Sequence, residues 1–69
     1  MNNQHLKIKN FLMNHGSISP MDAFSQLGIT KLSTRIGEMV RNGEPIGRMM
    51  VHEDNGGKKV RYMRYYWEG

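Results

Sequence analysis

Hydroxyl and basic side chains are concentrated near residue 31, where short donors and acceptors stand beside one long cation. Thr30, Ser33 and Thr34 carry hydroxyls that both donate and accept hydrogen bonds, and Lys31 adds an ammonium group that only donates. Such groups suit the edges of nucleotide bases and the phosphates beside them. These four residues are therefore the first candidates for contact with a nucleic acid.

A second basic cluster follows the dipeptide Gly56-Gly57 and contains Lys58, Lys59 and Arg61. A flexible, glycine-rich tip with basic flanks can enter a minor groove or lie along phosphates. The whole chain has ten Lys and Arg against six Asp and Glu, a formal net charge of +4. This balance favours a polyanionic partner, and its plainer alternative is the solvated basic edge of a soluble protein.

Three further residues have two interpretations each. Ser19 stands at the start of a predicted helix, where it can hold a phosphate or serve only as the cap. Arg41 can contact a phosphate or pair with Glu38 at i, i+3, and Arg35 can bind outward or fold along the domain surface. Because Glu38 would repel phosphate, we expect contact to concentrate at the start of its helix.

Three helices are predicted to position these side chains, over residues 3–15, 20–27 and 31–42. A glycine follows each of them, and Ser19 and Thr30 are expected to cap the second and third. The spacing of apolar residues indicates which side chains face the core: Leu6, Ile8, Phe11, Leu12, Ile18, Ala23, Phe24, Leu27, Leu32, Ile36, Met39 and Val40.

A β-hairpin is predicted after the helices, with strands at 46–53 and 58–66 around a turn at 54–57, and a short third strand near 17–19. Pairing across the turn gives one apolar face, expected to cover the helices: Met49, Val51, Val60 and Tyr62. The other face, expected to meet solvent or a ligand, holds Arg48, His52, Lys59 and Arg61.

Three helices closed by such a hairpin form an α+β winged helix-turn-helix, with the hairpin as its wing. We expect residues 1–69 to be a single domain, because a chain of this length buries only a small core. The absence of cysteine removes disulfides and thiolate zinc sites. No apolar run approaches a membrane span, and the N-terminus is too polar for a signal peptide, so we expect a cytoplasmic protein.

Enzymatic chemistry has little support in the sequence. His5, His15 and His52 are far apart and lack the spacing of a helical metal site. No pair of carboxylates stands out for acid–base catalysis. We therefore expect a protein that is not an enzyme and needs no metal or cofactor.

The segment HGSISPMDAFSQLGITKLSTRIGEMVRNGEPIG resembles a group of small helix-turn-helix proteins found mostly in bacteriophages and prophages. Their shared pattern has GSIT, a short helix, LGITRLAARI, a helix and GYPI, followed by a variable hairpin with a basic and aromatic strand. The similarity covers about residues 8 to 66, with matches at 16–19, 27–32, 35–36, 42–43 and 45–46. Ser19 replaces the usual Thr, and Glu44 stands where an aromatic residue is common.

This resemblance implies a winged helix-turn-helix that binds double-stranded DNA and is encoded by a phage. Together with the basic clusters it predicts a sequence-specific transcriptional regulator or an excisionase-like recombination accessory factor, acting on the bacterial nucleoid. The alternative is a small phage protein that binds and inhibits a host protein, indicated by Met50 and Met63, if exposed, and by Glu38. Whether two copies bind DNA together stays open at this stage.

Overall fold

The computed structural model describes residues 3–69, so Met1 and Asn2 of the predicted domain lie outside the described residues. Its elements, in chain order, are α1 (Asn3–His15), β1 (Ser17–Ile18), α2 (Pro20–Leu27), α3 (Leu32–Arg41), β2 (Ile46–Asn55) and β3 (Lys58–Trp67). The predicted three helices, hairpin and short extra strand are confirmed. The two long strands extend to a two-residue turn at Gly56 and Gly57, which both have positive φ.

The ends of α2 follow from local side-chain chemistry. The Ser19 hydroxyl accepts a hydrogen bond from the Asp22 backbone N–H at 3.1 Å, and the Asp22 carboxylate accepts one from the Ser19 N–H at 3.1 Å. This reciprocal capping box, with Pro20 in the first turn, satisfies backbone donors that the helix itself leaves unpaired. Gly28 ends α2 in the left-handed conformation with φ 69°. The predicted cap and stop are confirmed.

Replacing Ser19 with alanine should lower the free energy of unfolding by about 0.5–2 kcal/mol, because the Asp22 N–H loses its acceptor. Urea denaturation of the purified chain measures this change. Ser25→Ala is the matched control, since Ser25 is exposed within the same helix. Equal effects of the two substitutions would show that the capping bond contributes nothing.

The start of α3 differs from the prediction. Thr30 is not the cap; the capping position is Lys31, whose side chain makes no capping hydrogen bond. Lys31 has φ −116° and ψ 57°, and its ammonium group only donates hydrogen bonds, so it cannot accept one from the N–H groups of the first turn. Within residues 3–69 no side chain caps those N–H groups, and Thr30 is exposed.

The three strands form one antiparallel sheet in the order β1-β3-β2. The register of β2 with β3 is unbroken from Ile46 opposite Trp67 to Asn55 opposite Lys58, and Ile18 pairs with Tyr65. Alternation along this register reproduces the two predicted sets of side chains on the two faces of the hairpin.

The prediction that the face with Met49 and Val60 covers the helices was wrong. The face that packs on the core carries Tyr65, which is buried, together with Ile46, Met63 and Trp67. Met49 and Val60, on the opposite face, are exposed. The reason is that the largest apolar side chains at the base of the hairpin, near β1, lie on the other face and pack on the core. Met63 is therefore partly buried rather than an exposed interface residue.

The core joins one stripe from each helix to the base of the sheet, through Ile8, Phe11, Leu12, Ile18, Ala23, Ile29, Leu32, Ile36, Met39 and Tyr65. Leu6, Phe24 and Val40 were expected to face inward but are exposed. For Phe24 the cause is its neighbour Ala23, which is fully buried. Successive positions of a helix lie roughly 100° apart around its axis, so Phe24 points away from the side on which Ala23 is buried.

Arg64 ties the hairpin to the helices. Its Nη1 donates to the Ser17 hydroxyl at 3.0 Å and lies 3.8 Å from the Asp22 carboxylate. A hydrogen bond with the Tyr62 hydroxyl raises the pKa of Arg64 above its ordinary value, so this guanidinium stays charged. Because these bonds hold the hairpin against the start of α2, they fix the direction in which the distal half of the hairpin projects.

Candidate nucleic-acid interface

The first turn of α3 presents the polar cluster that the sequence singled out. The side chains of Thr30, Lys31, Ser33 and Thr34 are exposed. Within residues 3–69 none of these four side chains has a hydrogen bond or ion pair. They are therefore available to a ligand.

The buried face of α3 determines where the remaining side chains point. Leu32, Ile36 and Met39 lie in the core, so Thr34 and Arg41 fall on the opposite side of the helix. Between them is Gly37, where an added Cβ would lie 3.8 Å from the Arg41 guanidinium and near no other side chain of the described residues. The outward face of α3 is thus low at its middle and open to close approach.

Glu38 is held by two partners. Its carboxylate accepts a hydrogen bond from the His5 ring at 2.7 Å and bonds from Arg35 Nη1 at 2.9 and 3.1 Å. The His5 bond is the main cause that lowers the pKa of Glu38, burial opposes it, and the Arg35 guanidinium lowers the pKa further. Glu38 therefore pairs with Arg35 rather than Arg41, and its negative charge is compensated within the fold.

Removing this carboxylate should produce a pH-dependent loss of stability. Because the folded-state pKa of Glu38 is lowered, its contribution is complete above the ordinary glutamate range and disappears as the pH falls through the folded-state pKa. The difference in Tm between the wild type and Glu38→Gln should therefore be largest near neutral pH and shrink in acid. Thermal scans from pH 7 to pH 3 measure it, and a constant difference would contradict the assignment.

The hairpin carries its predicted cations on two faces. Lys59 and Arg61 share a face with Arg48 and His52, whereas Lys58 lies on the other face. All of them are exposed, and none has an ion pair within the described part of the chain. The face with Lys59 and Arg61 is the one whose base packs towards α3, so these two cations and α3 lie on the same side of the sheet.

A groove between α3 and β2 adds a residue that the sequence analysis did not select. Ser33, Gly37 and Val40 line one wall, and Arg48 lines the other. Strand alternation placed Arg48 on the basic face of the hairpin, but alternation does not indicate that this residue lies beside α3. Two predicted residues lie outside this exposed surface: Ser19 is buried as a cap, and Arg35 is half-buried against Glu38.

The fold has three helices, of which α3 exposes a polar face, and a basic hairpin follows them. This arrangement has a counterpart among known families. Residues 3–67 match the family described as the winged helix-turn-helix domain. The chain belongs to this family. A comparison with curated, individually described proteins gave no match.

In the winged helix, α2 and α3 form the helix-turn-helix, α3 has the position that the recognition helix takes in this motif, and β2–β3 is the wing. Membership in this family indicates binding of double-stranded DNA. No helix within residues 3–69 is long and apolar enough to cross a membrane, and the same residues contain no cluster of metal-binding side chains.

Proposed function

We propose that this winged helix recognises a specific sequence in double-stranded DNA, with the first turn of α3 in the major groove. The observation that carries the proposal is the exposed set of Thr30, Lys31, Ser33 and Thr34, which lack intramolecular partners within residues 3–69. Hydroxyl and ammonium groups in this position match base edges and adjacent phosphates. The compensation of Glu38 by Arg35 supports the same reading, since it removes much of the repulsion of phosphate from this face.

The wing completes the proposed contact. Lys58, Lys59 and Arg61 lie next to the Gly56-Gly57 turn and are exposed, so they can follow the phosphates or enter the minor groove. Arg41, exposed beside Gly37, supplies a further phosphate contact near the end of α3. Ser19 contributes chiefly as the cap of α2, because its hydroxyl is buried and already accepts a hydrogen bond.

The biological role that we propose is that of a phage transcriptional regulator or an excisionase-like accessory factor in recombination. The similarity of the central segment to small phage helix-turn-helix proteins supports it. In this role the protein is not an enzyme and acts in the cytoplasm of a bacterial host, on the nucleoid.

The proposal predicts that Lys31→Ala combined with Thr34→Ala removes sequence preference. The preferred site is first obtained by selecting bound duplexes from a random pool. Each base contact contributes about 1–3 kcal/mol of discrimination, so affinity for the selected duplex should approach that for random DNA. Thr34→Ser, which keeps the hydroxyl, and Lys7→Ala, an exposed cation on α1, are the controls. Preference for the selected duplex that survives the double substitution would refute the role of α3.

A second candidate function is binding and inhibition of a host protein. Exposed apolar side chains on α2 favour it, because Met21 and Phe24 are 73% and 56% exposed. Pull-down from a nuclease-treated bacterial lysate separates the two functions. A defined partner that is retained by the wild type and lost by Phe24→Ser would favour this candidate over DNA binding.

A further inference from the structure

We propose that two copies of this chain pair along the outer edge of β2, running antiparallel with Val51 opposite Val51. Within residues 3–69, β2 has one neighbour in the sheet, β3, so its other edge offers backbone N–H and C=O groups that no strand pairs with. The pairing itself does not depend on DNA binding, and only its consequence for the DNA site rests on the proposed function.

The edge of β2 lacks most of the features with which proteins usually prevent strand pairing. Such edges are commonly short, bulged, or protected by proline or by charged side chains, lysine above all, and β2 has charges only on either side of its apolar centre. Here β2 spans ten residues, its register with β3 has no bulge, and it contains neither lysine nor proline. Its centre is Met49-Met50-Val51, with Met49 59% and Met50 44% exposed. A long, regular edge with an apolar centre favours addition of another strand.

The charges of β2 indicate that this other strand is a second copy. Arg48 precedes the apolar centre, and Asp54 follows it at the same distance from Val51. In an antiparallel pair centred on Val51, Arg48 of each copy therefore lies directly opposite Asp54 of the other. Neither residue has an ion pair within the described part of one chain. Opposite charges placed directly across two strands stabilise the pairing, and here they occur twice.

Neighbouring registers fit less well. Centring the pair on Met50 places Met49 opposite Val51, but it places Arg48 opposite His52 and Glu53 opposite Gly47, so no carboxylate faces a cation. Centring it on His52 places the apolar side chains of Met50 and Val51 opposite Asp54 and Glu53. The register centred on Val51 is therefore the one that places opposite charges directly across the two strands, with Val51 opposite Val51, Met50 opposite His52 and Met49 opposite Glu53.

The same pairing has a consequence for DNA recognition. A twofold axis perpendicular to the sheet keeps equivalent faces on one side, so both α3 helices lie on that side. Ile46, at the end of β2 beside the groove of α3, would be about ten residues from its equivalent along the paired strands. At roughly 3.4 Å per residue this separation is about 34 Å. It equals about one turn of duplex, the spacing between half-sites of dimeric helix-turn-helix proteins.

Sedimentation analysis of the full chain without DNA tests the pairing, over about 1 µM to 1 mM protein. We expect the mass to rise from the 8.0 kDa of one chain to twice that value. Arg48→Asp and Asp54→Arg should each weaken the dimer by about tenfold or more, because like charges then face each other at both ends. Lys7→Asp, which makes the same charge change on α1, should leave the dimer unaffected.

An equimolar mixture of the Arg48→Asp and Asp54→Arg chains is the decisive sample. In a mixed dimer both pairs again have opposite charges, so the mixture should recover the dimer that each variant alone has lost. This recovery also shows that the variants are folded. A monomer at every concentration, or a dimer insensitive to both substitutions, overturns the proposal. Because DNA is absent, a failure here leaves the DNA-binding proposal to its own tests.

Discussion

Replacing Lys58, Lys59 and Arg61 together with alanine is expected to weaken binding to any duplex by on the order of a hundredfold near 0.1 M salt. These cations are exposed at the tip of the wing and have no intramolecular ion pair within residues 3–69. Each one that neutralises a phosphate releases counterions and adds roughly 0.9 to the slope of log K against log salt. The slope should therefore fall by about 2.7.

The loss should be nearly the same for the selected site and for random DNA, because phosphates carry no sequence information. Binding isotherms at several salt concentrations give both the affinity and the slope. Lys7→Ala serves as the control for removing an exposed charge elsewhere, and its slope should equal that of the wild type. A triple variant with an unchanged slope would place the wing away from the DNA.

Leu12→Ala is expected to lower the free energy of unfolding by about 2–5 kcal/mol. Leu12 is fully buried where α1 meets the rest of the core, so truncation removes apolar contact and leaves a cavity. The free energy of unfolding of native proteins is about 5–15 kcal/mol, so this one substitution would remove a large fraction of the stability of the domain. Urea denaturation with a constant m-value measures the effect.

Met13→Ala is the matched control for that substitution. Met13 is the next residue of α1 and is 60% exposed, so its truncation should change stability by no more than about 0.5 kcal/mol. Similar losses for Leu12→Ala and Met13→Ala would mean that α1 does not pack on the core through the face that carries Leu12.

The elements of the fold could be predicted because their signals are local. The capping box of Ser19 and Asp22, the left-handed Gly28 and the Gly56-Gly57 turn each depend on a few consecutive residues. That turn also determines which residues of β2 share a face with which residues of β3, and this pairing was predicted correctly. Such features need no knowledge of how distant parts of the chain meet.

The errors concern packing between elements. Alternation defines two faces of a hairpin but does not indicate which one meets the helices, and the outcome depended on Tyr65 and Trp67 at the base. Periodicity likewise placed Phe24 inward, whereas α2 buries Ala23 and leaves Phe24 exposed.

The charged contacts of the candidate interface were equally difficult to predict from sequence. His5 lies 33 positions from Glu38 in sequence, yet it competes for the carboxylate that was considered as a partner of Arg41. The exposed polar cluster from Thr30 to Thr34 could be identified in advance, because its exposure follows from the apolar stripe on the opposite side of α3.

Fluorescence anisotropy of labelled duplexes, titrated with the wild-type chain at several salt concentrations, tests the central claim most directly. Binding of the winged helix to double-stranded DNA predicts a saturable rise in anisotropy at low salt. It also predicts that log K falls linearly with log salt, and more steeply than in the triple wing variant. A flat signal at low salt on both selected and random duplexes would contradict the account.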